Sequence, residues 1–305
     1  MRIAGLALAG VLMTAGGCGP GADAHEHQGD RAYSELRFAD AVAAYRLAVR
    51  SGGRADLWAK LGSAGLRLPD YAVAAEAYRE LAASDALRVG EATQGLDLAA
   101  QGAERAGDFV ALRVVLLSLL SLAPQWANGT YALTVVRHVP TTPEERLALL
   151  PLAAAAAPDR RTADSLLGGY ADVLRATESC RKGIRVYRSV LRRTESSRLA
   201  EDLLRGRAAC ALELGREHVD EEPWTAEGWF LEAVDAAPET DIGRMALVGL
   251  GEARSGQGDL IGAALAYQAA VASTTDPDSI TIRAMEKLNE IAAARPPGDV
   301  SEPTP

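Results

Sequence analysis

Apolar residues recur along most of this chain at the spacing of an α-helix, and short runs of turn residues separate the helical stretches. One pattern returns three times. Its positions are Phe38, Ala41, Tyr45 and Ala48, then Tyr71, Ala74 and Tyr78, and finally Leu260, Ala263, Tyr267 and Ala270. The first two copies lie 33 residues apart. A repeat of this length predicts stacked helical pairs, each of which buries its apolar face only against its neighbours.

The turn residues predict about seven helical pairs followed by one capping helix. Four of the pairs are predicted at 29–50, 126–157, 161–193 and 197–236, and the capping helix at 278–294. Thr142, Pro143 and Glu145 form a helix start of the capping-box type. With only three Phe in 305 residues, the helices must approach one another over Ala and Gly, so the predicted fold class is all-α.

Two of the copies carry a longer motif that resembles the tetratricopeptide repeat. It consists of a large residue, Leu-Gly, a turn, an aromatic or large apolar residue, a small residue and a second aromatic. The matching residues are Trp58, Leu61, Gly62, Tyr71, Ala74 and Tyr78, and again Leu247, Leu250, Gly251, Leu260, Ala263 and Tyr267. The resemblance implies a right-handed superhelical solenoid whose long surface binds protein partners.

The N-terminus resembles a bacterial lipoprotein signal. Arg2 precedes an apolar run from Ile3 to Met13, and small residues lead directly to Cys18. The resemblance implies cleavage before Cys18 and acylation of that residue, although Ala15 stands where such signals usually have Leu. Two alternatives remain: cleavage after Ala24, which would release a soluble periplasmic or secreted protein, and an apolar N-terminus without a targeting role.

These observations predict four segments and an exported location. They are a signal peptide at 1–17, a flexible tether at 18–28, a helical solenoid at 29–294 and a disordered tail at 295–305. The apolar run from Leu147 to Ala157 is short and contains Pro151, so it predicts a packed or kinked helix and not a membrane span. We expect a lipid-anchored protein of the bacterial cell envelope that faces the periplasm.

Cys180 and Cys210 lie on the apolar faces of two predicted antiparallel helices, each fifteen residues from a turn centred at Glu195. They should therefore lie at the same level. In an exported protein this arrangement permits a disulfide. The alternative is a pair of buried thiols that pack as small apolar side chains.

Charge is distributed unevenly in a chain whose net charge is -9. Residues 175–207 carry a net charge of +6 and residues 217–305 a net charge of -12. A basic stripe follows one predicted helix at spacings of four, three and four; it consists of Arg181, Arg185, Arg188 and Arg192. On the outer side of a repeat, this stripe would meet anionic lipid, glycan or an acidic protein. The alternative is a solvated helix face, partly neutralised by nearby carboxylates.

No pattern in the sequence predicts catalysis. His25, Glu26 and His27 have metal-binding side chains but lie in the predicted tether, and no Ser-His-Asp set, phosphate loop or zinc helix is present. Lys60 and Ser63 are too few to clamp a carboxylate. Three tryptophans are predicted to be core residues: Trp58, Trp224 and Trp229.

We therefore expect no enzyme activity, no cofactor, no metal, no small-molecule substrate and, given export and overall acidity, no nucleic acid partner. The first functional hypothesis is an envelope scaffold or adaptor that binds other proteins. The second is an electrostatic docking module that uses the basic stripe to bind anionic glycan or lipid.

Overall fold

In the computed structural model, which describes residues 21–177, 180–273 and 278–294, every regular element is helical. Fifteen α-helices lie in these ranges. They are α1 (Ala22–Ser34), α2 (Phe38–Ser51), α3 (Ala55–Arg67), α4 (Tyr71–Ser84), α5 (Val89–Ala106), α6 (Phe109–Leu122), α7 (Gly129–His138), α8 (Pro143–Ala155), α9 (Arg160–Ala176), α10 (Cys180–Leu191), α11 (Ser197–His218), α12 (Pro223–Ala236), α13 (Asp241–Gly256), α14 (Leu260–Ala272) and α15 (Ser279–Ala294).

The chain divides into two units, and each is a series of helical pairs. The first unit holds three pairs, α1 to α6, and ends at Ala127. The second begins at Asn128 and holds four pairs, α7 to α14, followed by α15. Over the described residues, this confirms the predicted all-α fold of about seven helical hairpins and a C-terminal capping helix.

Short-range interactions fix where many of the helices begin. Asp108 and Asp259 cap α6 and α14 by accepting a hydrogen bond from the backbone N–H three residues on. Each follows a glycine with a left-handed φ, 70° at Gly107 and 82° at Gly258, a conformation that L-residues rarely adopt. Thr142 forms the predicted capping box at the start of α8.

Aromatic rings pack against glycines of neighbouring helices, and this contact sets how closely the helices approach. A methyl group built on Gly251 would lie 2.6 Å from Cζ of Tyr267, and one on Gly62 would lie 2.8 Å from Cζ of Tyr78. Both distances are shorter than van der Waals contact, so the ring occupies the space that a side chain would need. These are the positions of the sequence motif, which therefore encodes the packing within each of these pairs.

The same contact persists in the second unit where the motif is degenerate. The ring of Tyr187 on α10 covers Gly206 on α11, and the ring of Phe230 on α12 lies between Gly215 and Gly249. Tyr187 and Phe230 are almost completely buried. The repeat spacing in the sequence does not identify the glycines that Tyr187 and Phe230 contact.

Helix α1 begins at Ala22, so the predicted tether is wrong from residue 22 to residue 28. Cross-helix ion pairs hold this segment in place. Arg54 pairs with Asp23 at 2.9 Å and also with Glu26, and Lys60 Nζ lies 2.8 Å from Glu26 Oε1. The composition of residues 18–28 predicts a tether because it does not show that Asp23 and Glu26 have partners later in the chain. With those partners, the segment is held as part of a helix. The predicted signal peptide, Cys18 and the tail at 295–305 lie outside the described residues.

The capping helix α15 is attached to α13 by a buried arginine. The guanidinium of Arg244 donates to both carboxylate oxygens of Asp278, at 2.6 and 2.7 Å, and to the hydroxyl of Thr281 at 2.8 Å. The hydrogen bonds from Arg244 hold the pKa of Asp278 well below its ordinary value. This arrangement keeps the last helix of the second unit on its neighbour.

Replacing Gly251 by Ala should lower the free energy of unfolding by about 1–3 kcal/mol, because the new methyl group overlaps the Tyr267 ring. Gly228 is the matched control: it lies inside α12 with open space where a methyl group would stand, so Gly228→Ala should raise stability by up to about 1 kcal/mol. Urea unfolding measures both changes. Equal effects of the two substitutions would contradict this account of the packing.

Candidate functional site

Two adjoining cavities lie along the first helices of the last pairs in the second unit. Their volumes are about 300 and 650 Å³, and both are lined by Arg216, Glu252 and Arg283. These residues come from α11, α13 and α15, so the cavities form one groove that crosses three helices. We call this surface the first-helix groove.

The groove has an apolar lining in its smaller part and a polar one in its larger part. Met245, Val248 and Ile280 line the smaller cavity. The larger cavity is lined by the ring of Tyr267, which is held against Gly251. Burial, together with the nearby charges of Glu252 and Glu290, raises the pKa of Tyr267 to about 12, so the phenol stays neutral.

Most charges inside the groove are already paired. Arg283 donates to Glu252 at 2.7 Å, and Lys287 donates to Glu290 at 2.8 Å. Arg216 differs, because its guanidinium contacts Met245 Sδ at 3.4 Å and forms no ion pair with a carboxylate in the described ranges. Asp220, four residues further on, likewise lacks an ion pair among the described residues. The groove therefore offers one cation and one anion to a ligand, beside an apolar surface.

A further cavity of about 620 Å³ in the same unit is lined by Arg146, Asp172 and Asp202. Its carboxylates are engaged: the Tyr187 hydroxyl donates to Asp172 at 2.6 Å, and Arg205 donates to Asp202 at 3.1 Å. This cavity therefore offers a ligand less unpaired charge than the first-helix groove does.

The first unit has a small cavity of about 330 Å³ whose lining includes Lys60 and Ser63. Lys60 bonds Asp30 at 2.8 Å as well as Glu26, and the Tyr45 hydroxyl donates to Asp30 at 2.8 Å. Burial acts in the opposite direction, but these hydrogen bonds lower the pKa of Asp30. Because Lys60 is held by two carboxylates, it is not available as a lone cation for an acidic ligand.

The two candidate cysteines are joined. A disulfide links Cys180 on α10 to Cys210 on α11, with a Cα–Cα distance of 5.0 Å, and both residues are buried. Helices α10 and α11 pack antiparallel, and each cysteine is fifteen residues from the predicted turn at Glu195. The two cysteines therefore lie at the same level, as the sequence predicts. The bond is part of the core of the second unit, and neither cysteine lines the first-helix groove.

The basic stripe is only partly free. Arg188 pairs with Glu232 of α12 and lies over the ring of Trp229, and Arg181 contacts the ring of His218 at 2.8 Å. Arg185 and Arg192 are exposed and form no ion pair with any carboxylate that the structure describes. Binding of an anionic partner by this stripe stays a prediction. Of the four arginines, Arg185 and Arg192 are the two that such a partner would meet without a competing contact among the described side chains.

The other sequence candidates are distributed as follows. Glu26 is engaged by Arg54 and Lys60, and among the described residues no three His, Cys, Asp or Glu side chains gather as metal ligands. Trp58 and Trp229 are partly buried against the core, but Trp224 is 73% exposed, so its prediction as a core residue is wrong.

Within the described residues, no helix combines the length and the apolar composition that crossing a bilayer requires.

No protein-family model matches the chain, and no curated protein matches it. Among solved structures, the chain is similar to the TPR2AB-domain:pHSP90 complex of yeast Sti1, with 12% identity, coverage of 89% of this chain and 98% of that chain, and a TM-score of 0.28. It is also similar to the C-terminal part of a TPR repeat-containing protein from Cytophaga hutchinsonii, with 9% identity, 84% and 98% coverage and a TM-score of 0.34. A tetratricopeptide repeat protein from Parabacteroides merdae gives 14% identity, 90% and 100% coverage and a TM-score of 0.28. Likenesses of this size carry no functional information.

Replacing both Cys180 and Cys210 by Ala should lower the free energy of unfolding by about 3–4 kcal/mol, the loop-entropy value for a bridge that closes a loop of this size. Urea unfolding with and without dithiothreitol measures it. The reductant should destabilise the natural chain and leave the double variant unchanged. Two titratable thiols in the unreduced natural chain would instead support the alternative of buried, unbonded cysteines.

Proposed function

We propose that this protein is an exported, lipid-anchored adaptor of the bacterial cell envelope that binds partner proteins through the first-helix groove. The observation that carries the binding role is the groove itself, an extended surface over three helices with an apolar part and with charges at Arg216 and Asp220 that form no ion pair within the described ranges. An extended polypeptide segment fits such a surface, because its side chains point alternately to opposite sides and its backbone offers polar groups along its length. The envelope location is supported by the sequence that leads to Cys18.

The groove suits binding better than catalysis. Its carboxylates at Glu252 and Glu290 are paired with cations, so neither is presented as a free acid or base, and the Tyr267 phenol has a pKa raised to about 12. Arg216 would instead donate hydrogen bonds to a partner's carboxylate or backbone carbonyl. Such a contact also selects partners, because a segment without an acceptor would leave the guanidinium without a hydrogen bond.

Arg216→Gln should weaken partner binding about tenfold or more, since a hydrogen bond to a charged group contributes about 1.5–3 kcal/mol. Ser255→Trp should also weaken it, because the indole would fill the larger cavity without changing the charge. The control is Arg50→Gln, which removes an exposed arginine from α2. Proteins retained from detergent-solubilised envelopes are quantified by mass spectrometry for all four chains. Equal retention by the groove variants and the natural chain, or no partner above a scrambled-surface control, rejects the proposal.

The proposed anchor predicts that the mature protein begins at Cys18 and carries acyl chains on that residue. Intact-mass and N-terminal peptide mass spectrometry of protein purified from membranes tests this, and Cys18→Ser should release the chain from the membrane fraction. A mature N-terminus at His25 would support the soluble exported alternative. An uncleaved Met1 would remove the case for export.

A further inference from the structure

The first unit has two edges at which its helices begin and end, and the start of α1 lies at one of them. The longest connection between successive helices from α1 to α6 has four residues, which is too short to span the length of a helix. Each helix therefore runs opposite to the one before it. The starts of α1, α3 and α5 and the ends of α2, α4 and α6 share one edge. We call it the N-terminal edge; it comprises 22–23, 52–56, Ala86–Arg88 and Pro124–Trp126.

Ion pairs connect the start of α1 to the next connections along the N-terminal edge. Arg54 donates to Asp23 at 2.9 Å, and two residues later Asp56 accepts from Arg88 at 2.8 Å. Arg88 directly follows Leu87. The first residues of α1 and the turn that carries Leu87 therefore belong to one surface of the first unit.

Two large apolar side chains project from the N-terminal edge. Leu87 is 97% exposed, the highest value among the large apolar side chains of the described ranges, and Trp126 is 45% exposed. Each lies in a short 3-10 turn that follows a second helix, after α4 and after α6. Leucine is favourable in the hydrocarbon of a bilayer, and tryptophan is enriched at the level of the headgroups.

Exposed apolar residues do not by themselves distinguish this edge from the opposite one. At the opposite edge, Leu36 is 68% exposed and Val110 is 60% exposed. Single apolar side chains on a surface are common and need no explanation. The edge that contacts a membrane must therefore be identified from the position of the proposed anchor.

Cys18 is close to the N-terminal edge along the chain. Three Cα–Cα steps separate Cys18 from Gly21, which directly precedes α1, and they span at most about 11 Å. Acyl chains on Cys18 would hold that residue at the bilayer surface and keep the start of α1 within this distance. The opposite edge is farther away by the length of α1, whose 13 residues rise about 20 Å.

The charges of the N-terminal edge do not favour an anionic surface. Arg54 and Arg88 are each paired with two carboxylates. Arg50 is exposed and forms no ion pair with a described carboxylate, but Asp85 at the same edge likewise lacks a described cation. Carboxylates thus outnumber arginines here, so contact with a bilayer would depend on the tether and on apolar side chains and not on anionic lipid.

We infer that the N-terminal edge of the first unit lies against the lipid bilayer, with Leu87 inserted at the boundary of the acyl chains and Trp126 at the level of the headgroups. The inference rests on the proposed acylation of Cys18 and concerns a different unit from the first-helix groove. Helix α5 then has its N-terminal end towards the membrane and its C-terminal end away from it.

Fluorescence quenching in phosphatidylcholine liposomes tests this orientation on the mature protein purified from membranes. Gly90→Cys places a thiol near the start of α5, where a methyl group has open space, and Ala106→Cys places a matched thiol at the exposed end of the same helix. The two sites are about 24 Å apart along the helix. The native Cys180–Cys210 pair is bonded and does not take up the fluorophore.

A fluorophore on residue 90 should be quenched by nitroxide-labelled lipid about threefold or more as strongly as one on residue 106. The reason is that half of the hydrocarbon layer is about 15 Å thick, so a site 24 Å farther from the membrane is beyond the lipid-bound quencher. Equal quenching at the two ends of α5 would overturn the inference.

Substitutions at the N-terminal edge test the two inserted side chains. Leu87→Ser with Trp126→Ser should reduce quenching at residue 90 about twofold or more, because the edge loses its apolar contacts with the bilayer. Leu36→Asn with Val110→Ser, at the opposite edge, should leave it unchanged; asparagine tolerates the left-handed φ of residue 36. Circular dichroism melting checks that both chains stay folded. Undiminished quenching in the folded Leu87 and Trp126 variant rejects their insertion.

Lipid composition and the mass of the protein complete the test. Liposomes that also contain phosphatidylglycerol should give the same quenching as phosphatidylcholine alone, and quenching that requires the anionic lipid would overturn insertion by apolar side chains. The intact mass of the same preparation separates the anchor from the edge. An acylated Cys18 with equal quenching at both ends of α5 rejects the edge alone, whereas a chain without acyl groups rejects the anchor and the inference that rests on it.

Discussion

The contact between an aromatic ring and a glycine on a neighbouring helix determines how this protein is built. Tyr78 on Gly62, Tyr267 on Gly251 and the ring of Phe230 between two glycines are examples. Because the ring fills the space of the missing side chain, the helices approach closely and no gap remains between the ring and the glycine. Tyr78 also contacts Gly95 of α5, and Phe230 contacts Gly249 of α13, so these two rings position one helix pair against the next.

This stacking creates the first-helix groove, to which we assign the binding function. Arg216, Glu252 and Arg283 are far apart in sequence and meet only because α11, α13 and α15 lie next to one another. One repeated packing contact thus brings together the residues that line the groove.

Ion pairing is the property that the sequence predicts least well. Arg181, Arg185 and Arg188 are exposed on α10, and Arg192 is exposed directly after it, but their spacing contains no information about the helix that packs alongside. Arg188 pairs with Glu232, 44 residues later, whereas Arg185 and Arg192 find no described carboxylate. The same limit applies to the predicted tether, where Arg54 and Lys60 hold the start of α1 from about 30 residues away.

The sequence by itself determined the helical pairs, their turns, the capping helix and the level at which Cys180 and Cys210 meet. These features depend on helical periodicity, on capping residues such as Asp259 and on glycines with left-handed φ, all of which act within a few residues along the chain. Only the tertiary structure decided which arginines are neutralised, that Trp224 is exposed and that Arg216 faces a groove. Those properties depend on which helices become neighbours and at what angle, and the short-range pattern of residues does not contain that information.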